Sequence, residues 1–165
     1  MKNVKRTFVG LKPLGSDEPV ILILGTYPGV ESLQTGEYYA SSRNSFRKII
    51  ADIFNKGVPF KTYADFEKCL KNNNIAIWDV YETCERKGSL DKTIKKSIPN
   101  DLEDYIKNHP TIRKIVFNGK NAKKAFDLIY QLEVGVAIEV APSTSNSNSS
   151  MTREQKAKEW KKILK

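Results

Sequence analysis

Val20-Ile-Leu-Ile-Leu24 runs straight into Gly25-Thr-Tyr-Pro-Gly29. An unbroken aliphatic run of this length reads as a strand covered on both faces. The glycines and proline that follow end it in a tight turn. The same pairing recurs along the chain. A second apolar run, Ile75-Ala-Ile-Trp-Asp-Val80, leads into the polar stretch 81–88; a third, residues 112–117, into Asn118-Gly119; and a fourth, residues 134–140, into Ala141-Pro-Ser-Thr-Ser145. Helix-period segments lie between them. Phe46, Ile49, Ile50 and Phe54 mark one stripe; Tyr63, Phe66 and Leu70, behind an N-cap at Thr62, a second; Leu102, Tyr105 and Ile106 a third; Ala122, Ala125, Phe126, Ile129 and Leu132 a fourth. Thr152 with Gln155 has the spacing of a capping box before a final helix through Trp160 and Leu164. Strand–helix alternation predicts an α/β fold, a three-layer α/β/α sandwich around a four-stranded parallel sheet. In such sheets ligands bind beyond the carboxyl ends of the strands, where all four polar clusters fall.

Composition narrows the chemistry. The chain has 165 residues, 28 Lys+Arg against 19 Asp+Glu, and a formal net charge of +9. That length suits one domain spanning residues 1–165, and the positive balance suits a polyanionic partner. Two cysteines and one histidine exclude a disulfide framework, a four-thiolate zinc site and a multi-histidine metal centre, so no cofactor is expected. No apolar stretch is long enough for a bilayer, and a cytoplasmic protein without a membrane partner is expected, nucleoid-associated in a bacterium. A monomer is expected.

Each polar cluster has a structural reading beside a functional one. Gly25–Gly29 is a turn, or a close backbone approach to a ligand; no G-K-[ST] follows, so it is not a phosphate loop. Tyr38-Tyr39 before a helix is core and rim, or a stacking surface for a planar ligand. Asn44 is a helix cap, or a polar group of the crevice. Asn118-Gly119 is a turn, or a donor and acceptor for a base edge. Trp78 and Asp79 read as a core aromatic and a loop-capping carboxylate. Lys120, Lys123 and Lys124 open a helix against its dipole, an arrangement a phosphate backbone would relieve.

Taken together these segments resemble the uracil-DNA glycosylase superfamily, and within it the hypoxanthine (deoxyinosine)-DNA glycosylase branch, related to the mismatch-specific uracil glycosylases. The resemblance rests on Leu24-Gly-Thr-Tyr-Pro-Gly29, Gly36-Glu-Tyr-Tyr-Ala40 with Arg43-Asn44-Ser-Phe46, Ile77-Trp-Asp-Val80 with Cys84-Glu-Arg-Lys-Gly-Ser-Leu-Asp91, Phe117-Asn-Gly-Lys120 and Pro142-Ser-Thr-Ser145. It implies a monofunctional DNA glycosylase that hydrolyses the N-glycosidic bond of a flipped deaminated base, hypoxanthine or uracil, in base excision repair without a metal. Its partner would be DNA containing a damaged or deaminated base. Asn44 would be catalytic, holding the attacking water. Gly25, Thr26 and Tyr27 would line the base pocket, Tyr39 would stack on the base, and Asn118 would bind its edge. Arg43, Arg47, Lys120, Ser143, Thr144, Ser145 and Asn146 would contact DNA. Tyr27 stands before Pro28 where other branches carry Asp or Asn, and no histidine opens the last loop, so a slow, leaving-group-dependent reaction is expected. Ser41-Ser42, Arg47 and Ala141 also depart from the family pattern, and they leave open a catalytically weak or inactive nucleic-acid-binding module of the same fold. A small-molecule enzyme using the same crevice is a third reading.

Overall fold

The computed structural model describes residues 8–131 and 135–165. Its central sheet contains β1 (Leu14–Gly15), β2 (Ile21–Gly25), β3 (Ile75–Asp79), β6 (Lys114–Asn118) and β7 (Ala137–Ala141) in the order β1-β3-β2-β6-β7. β2, β3, β6 and β7 are mutually parallel, and β1 joins the edge of β3 antiparallel. The expected four-stranded parallel core is present with this short fifth strand added. The last strand starts at Ala137; of its expected span, Val134 lies outside the described residues, as does Leu132 of the fourth apolar stripe.

Alternate residues of the central strands feed opposite faces, as the strand period of two requires. Leu22, Leu24, Ala76, Ile115 and Phe117 pack on one side beneath α4 (Leu102–Asn108) and α5 (Lys120–Ile129). Ile23, Ile75, Ile77 and Val116 pack on the other beneath α2 (Phe46–Phe54), α3 (Tyr63–Asn72) and α6 (Arg153–Leu164). Phe46 is central there, edge-on to both Phe66 and Trp160. Thr62 and Thr152 both close reciprocal capping boxes, with Asp65 and Gln155 as partners, so α3 and α6 start where the sequence places them. Among the described residues no helix is long and apolar enough to cross a membrane.

Two features differ from expectation. A short helix, α1 (Val30–Thr35), follows the Gly25–Gly29 turn. The polar stretch after β3 is a two-stranded antiparallel hairpin, β4 (Tyr81–Glu85) with β5 (Lys95–Pro99), bridged by a loop that includes a 3-10 turn at Asp91–Thr93. Every residue of β5 is exposed, so it has no apolar alternation from which to be read.

Candidate active site

The carboxyl ends of β2, β3, β6 and β7 surround a cavity of about 280 Å3. Its volume is close to the lower end of the range of small-molecule sites, ~300–1,000 Å3, and suits a single heterocycle. Of the residues singled out from the sequence, Gly25, Thr26, Tyr27, Tyr39, Asn44, Asn118, Arg43 and residues 143–146 all line it. Arg47 and Lys120 do not.

The centre of the site is a hydrogen-bonded chain through Thr144. Asn118 donates from Nδ2 to Tyr39 Oη (3.1 Å) and to Thr144 Oγ1 (2.9 Å), and its Oδ1 accepts from the Thr144 amide (3.0 Å). Thr144 Oγ1 in turn donates to Asn44 Oδ1 (2.8 Å). The Thr144 carbonyl accepts from the Ser45 amide and hydroxyl. Thr144 was expected to touch DNA; its side chain is instead fully buried, and it binds the two asparagines to each other. Both amide hydrogens of Asn118 are taken up inside the protein, so it has little left to offer a base edge beyond a lone pair on Oδ1.

Asn44 fills its structural and crevice roles together. Its Oδ1 accepts from the amide of Phe46 (3.0 Å), the first residue of α2, although the N-cap itself is Ser45. A backbone N–H needs an acceptor, so this bond fixes which end of the amide is oxygen. With Thr144 Oγ1 as second donor, both Oδ1 lone pairs are used. The group that faces the cavity is therefore the Nδ2 amide, which can hold a water but cannot remove its proton.

Tyr39 sits at φ 53°, a left-handed conformation uncommon outside glycine. Its ring stacks on Phe46 at 4.1 Å and 27°, and its hydroxyl is held by Asn118. One face is thus backed by the core while the half-buried residue lines the cavity with the rest. Burial, with nearby Asp79, raises its hydroxyl pKa, so the phenol stays neutral.

Asp79, at the end of β3, was read as a loop cap. Its carboxylate caps no loop. The residue is 5% exposed, lines the cavity, and its Oδ2 has no hydrogen-bond partner among the described residues. Burial, reinforced by the charge of Asp91 and opposed by Arg86, raises its pKa to about 7. Gly25 makes room for it: a Cβ there would stand 2.5 Å from Asp79 Oδ1 and 3.4 Å from Tyr39 Oη. Sequence reasoning passed over Asp79 because a lone Asp at a strand end resembles a cap. Its register beside Gly25, at the carboxyl end of the parallel pair, is what places it in the site.

Arg86 also escaped notice. Its side chain is 3% exposed, lies over the Tyr27 ring at 4.9 Å, and donates to the Tyr27, Pro28 and Gly88 carbonyls and to Asp91 (3.0 Å). It thereby ties the β4–β5 loop to the turn after β2. Arg47, expected on DNA, is an internal tie as well. Its guanidinium donates to the Tyr38 carbonyl and to Glu37 (3.3 Å) and lies over the Tyr63 and Phe66 rings. Arg43 is exposed at the cavity rim, and Lys120 is exposed at the start of α5, off the cavity wall. The loop after β7 is anchored by α6. Trp160 Nε1 donates to the Pro142 carbonyl (2.9 Å), and buried Lys156 donates to the Ser145 carbonyl (3.2 Å), its pKa lowered by desolvation.

Comparison with known proteins agrees with this geometry. A family model described as the uracil DNA glycosylase superfamily matches residues 12–165. The chain is 31% identical over 144 residues to a hypoxanthine DNA glycosylase of Methanosarcina acetivorans, covering 87% of this chain and 89% of the relative. It is 27% identical over 145 residues to one from Methanosarcina barkeri, covering 88% and 92%. A solution NMR structure of a Methanosarcina acetivorans protein, provisionally assigned as a uracil DNA glycosylase, superposes with a TM-score of 0.81 at 28% identity, over 96% of this chain and 97% of that one. With its α/β/α architecture and a site gathered at the carboxyl ends of the parallel strands, the chain belongs to the uracil DNA glycosylase superfamily.

Proposed function

We propose that this chain, folded as a single domain, excises hypoxanthine, the product of adenine deamination, from DNA by hydrolysing its N-glycosidic bond. The nucleotide is rotated out of the stack so that the base enters the cavity. The observation that carries this reading is Asp79, a buried carboxyl with an unpartnered oxygen on the wall of a base-sized cavity. In its neutral form a carboxyl offers one donor and one acceptor side by side. Hypoxanthine presents the complement at its lactam edge, C6=O and N1–H. Uracil carries a similar edge on a smaller ring and is the weaker substrate.

The remaining roles follow from the hydrogen-bond inventory. Tyr39, backed by Phe46, supplies the stacking face. Asn44 Nδ2 holds the attacking water, while Thr144 and Asn118 fix the Asn44 amide in place. No group at Asn44 can deprotonate that water, so bond cleavage depends on the departing base. The charge developing on the base is met by the neutral Asp79 donor, the kind of fixed electrostatic help that is worth about 10²–10³ in rate per donor. Ionised Asp79 would repel that charge.

The test is excision from labelled duplexes carrying inosine, uracil or xanthine, scored as abasic product. Inosine is expected to be cut fastest, and Asn44→Ala should abolish cutting while leaving DNA affinity largely intact. Absence of abasic product from all three at excess enzyme would overturn the proposal in favour of a binding module.

A further inference from the structure

The loop after β7 contains Ser143-Thr-Ser-Asn-Ser-Asn-Ser-Ser150, with no apolar side chain. It was expected to contact DNA, yet those eight residues have nothing to fill the gap left by a displaced base, and Met151, which follows them, is half-buried just ahead of α6. Leu90, 48% exposed, stands between Ser89 and Asp91, both of which line the cavity. We infer that Leu90 is the wedge that enters the base stack when the target nucleotide leaves it. The inference rests on the base-extrusion reading above.

The loop bearing Leu90 is held by hydrogen bonds to neighbouring segments and within itself. Arg86 holds Gly88 and Asp91 from below. Ser89 Oγ accepts from the Val30 amide (3.1 Å), fastening the loop to the start of α1. The Leu90 amide donates to the Lys87 carbonyl, and its own carbonyl accepts from the Thr93 amide (3.0 Å) and hydroxyl (2.6 Å). An aliphatic side chain in water at the tip of so heavily tied a loop is costly to the free protein and gains nothing for its core. A wedge requires that rigidity, since the energy of unstacking must be met by a side chain that does not give way. Exposed Lys87, Lys92 and Lys95 flank it, placing cations where a phosphate backbone would pass on either side of an opened step. The wedge and the cavity share Asp91 and Ser89, so insertion and base capture occur within one short span of duplex.

The test compares affinity for a duplex carrying a tetrahydrofuran abasic analogue with affinity for the same intact duplex, for wild type, Leu90→Ala and Leu90→Met. The gapped stack gives a wedge a ready-made slot and requires no catalysis. Wild type is expected to prefer the gapped duplex by about tenfold or more, equivalent to ~1.4 kcal/mol. Leu90→Ala should bring the ratio close to unity, and Leu90→Met should restore most of it. Circular dichroism checks that the exposed substitution leaves the fold intact. No preference in wild type, or a preference unchanged in Leu90→Ala, overturns the wedge, whether or not bases are cut. A preference that Leu90→Ala removes sustains the wedge even where no abasic product forms, so the wedge and the excision reading fail separately.

Discussion

Asp79→Asn exchanges the buried carboxyl for an amide of the same shape that does not titrate. In the folded protein the carboxyl pKa is raised from 3.8 to about 7, chiefly by burial. A carboxyl that holds its proton more tightly when folded favours folding below its unfolded pKa, and that contribution is lost as pH rises through the folded one. The window is therefore from 3.8 to about 7. At ~1.4 kcal/mol per pH unit, the loss across it is roughly 4 kcal/mol, of which about 3 kcal/mol falls between about pH 4.5 and about pH 8. Asparagine carries no such slope. The difference in unfolding free energy between Asp79→Asn and wild type should move in favour of the variant by that amount over this range. Denaturant unfolding at several pH values measures it, and taking the difference cancels the titration of groups that do not interact with Asp79. Asp91, which raises the Asp79 pKa, is the neighbour whose own titration will shift. A difference that changes by less than about 1 kcal/mol would refute the buried, unpartnered carboxylate. The same pair tests the lactam reading. An amide still offers a donor and an acceptor, so Asp79→Asn should excise hypoxanthine with a flat profile above neutrality, where wild type declines.

Thr144→Val removes the hydroxyl that joins the two asparagines and leaves Asn44 Oδ1 and an Asn118 N–H short of a partner. A stability loss of about 1–3 kcal/mol and a marked fall in excision rate with little change in DNA affinity are expected from unfolding and single-turnover measurements. Gly119→Ala forces a Cβ onto a backbone at φ 95° and to within 2.9 Å of Ser143 Cβ, so it should shift the loop after β7 and lower the melting temperature. Arg43→Ala should reduce the salt dependence of DNA binding by about one counterion, whereas Arg47→Ala should leave that slope unchanged and destabilise the fold by loosening α2 from residues 37–38.

The sheet was legible in the sequence because its central strands β2, β3 and β6 are buried on both faces and read as continuous apolar runs. The helix starts at Thr62 and Thr152 were legible because a capping box is a local pattern. The site was legible in position, since the carboxyl end of a parallel strand is a matter of topology. The roles within it were not. Thr144 resembles its neighbours in a Ser/Thr-rich loop, and only the fold shows it buried between residues 44 and 118. Arg47 is one of many cations until its guanidinium is found against Tyr38. Asp79 resembles a cap until its environment is known, because a missing partner leaves no trace in sequence. The β4–β5 hairpin was missed for the opposite reason: an exposed strand has no hydrophobic period to betray it.

The bond between Thr144 and Asn44 joins residues a hundred positions apart, and the loop that provides Thr144 is anchored by Trp160 and Lys156 of α6. Contacts of such long sequence separation close late, after local structure has formed. During synthesis the sheet strands β2, β3 and β6 emerge well before α6, so the sheet has most of its strands before the asparagines are held in register. On the proposed reading, the water position at Asn44 is therefore completed only once α6 has docked against the loop after β7.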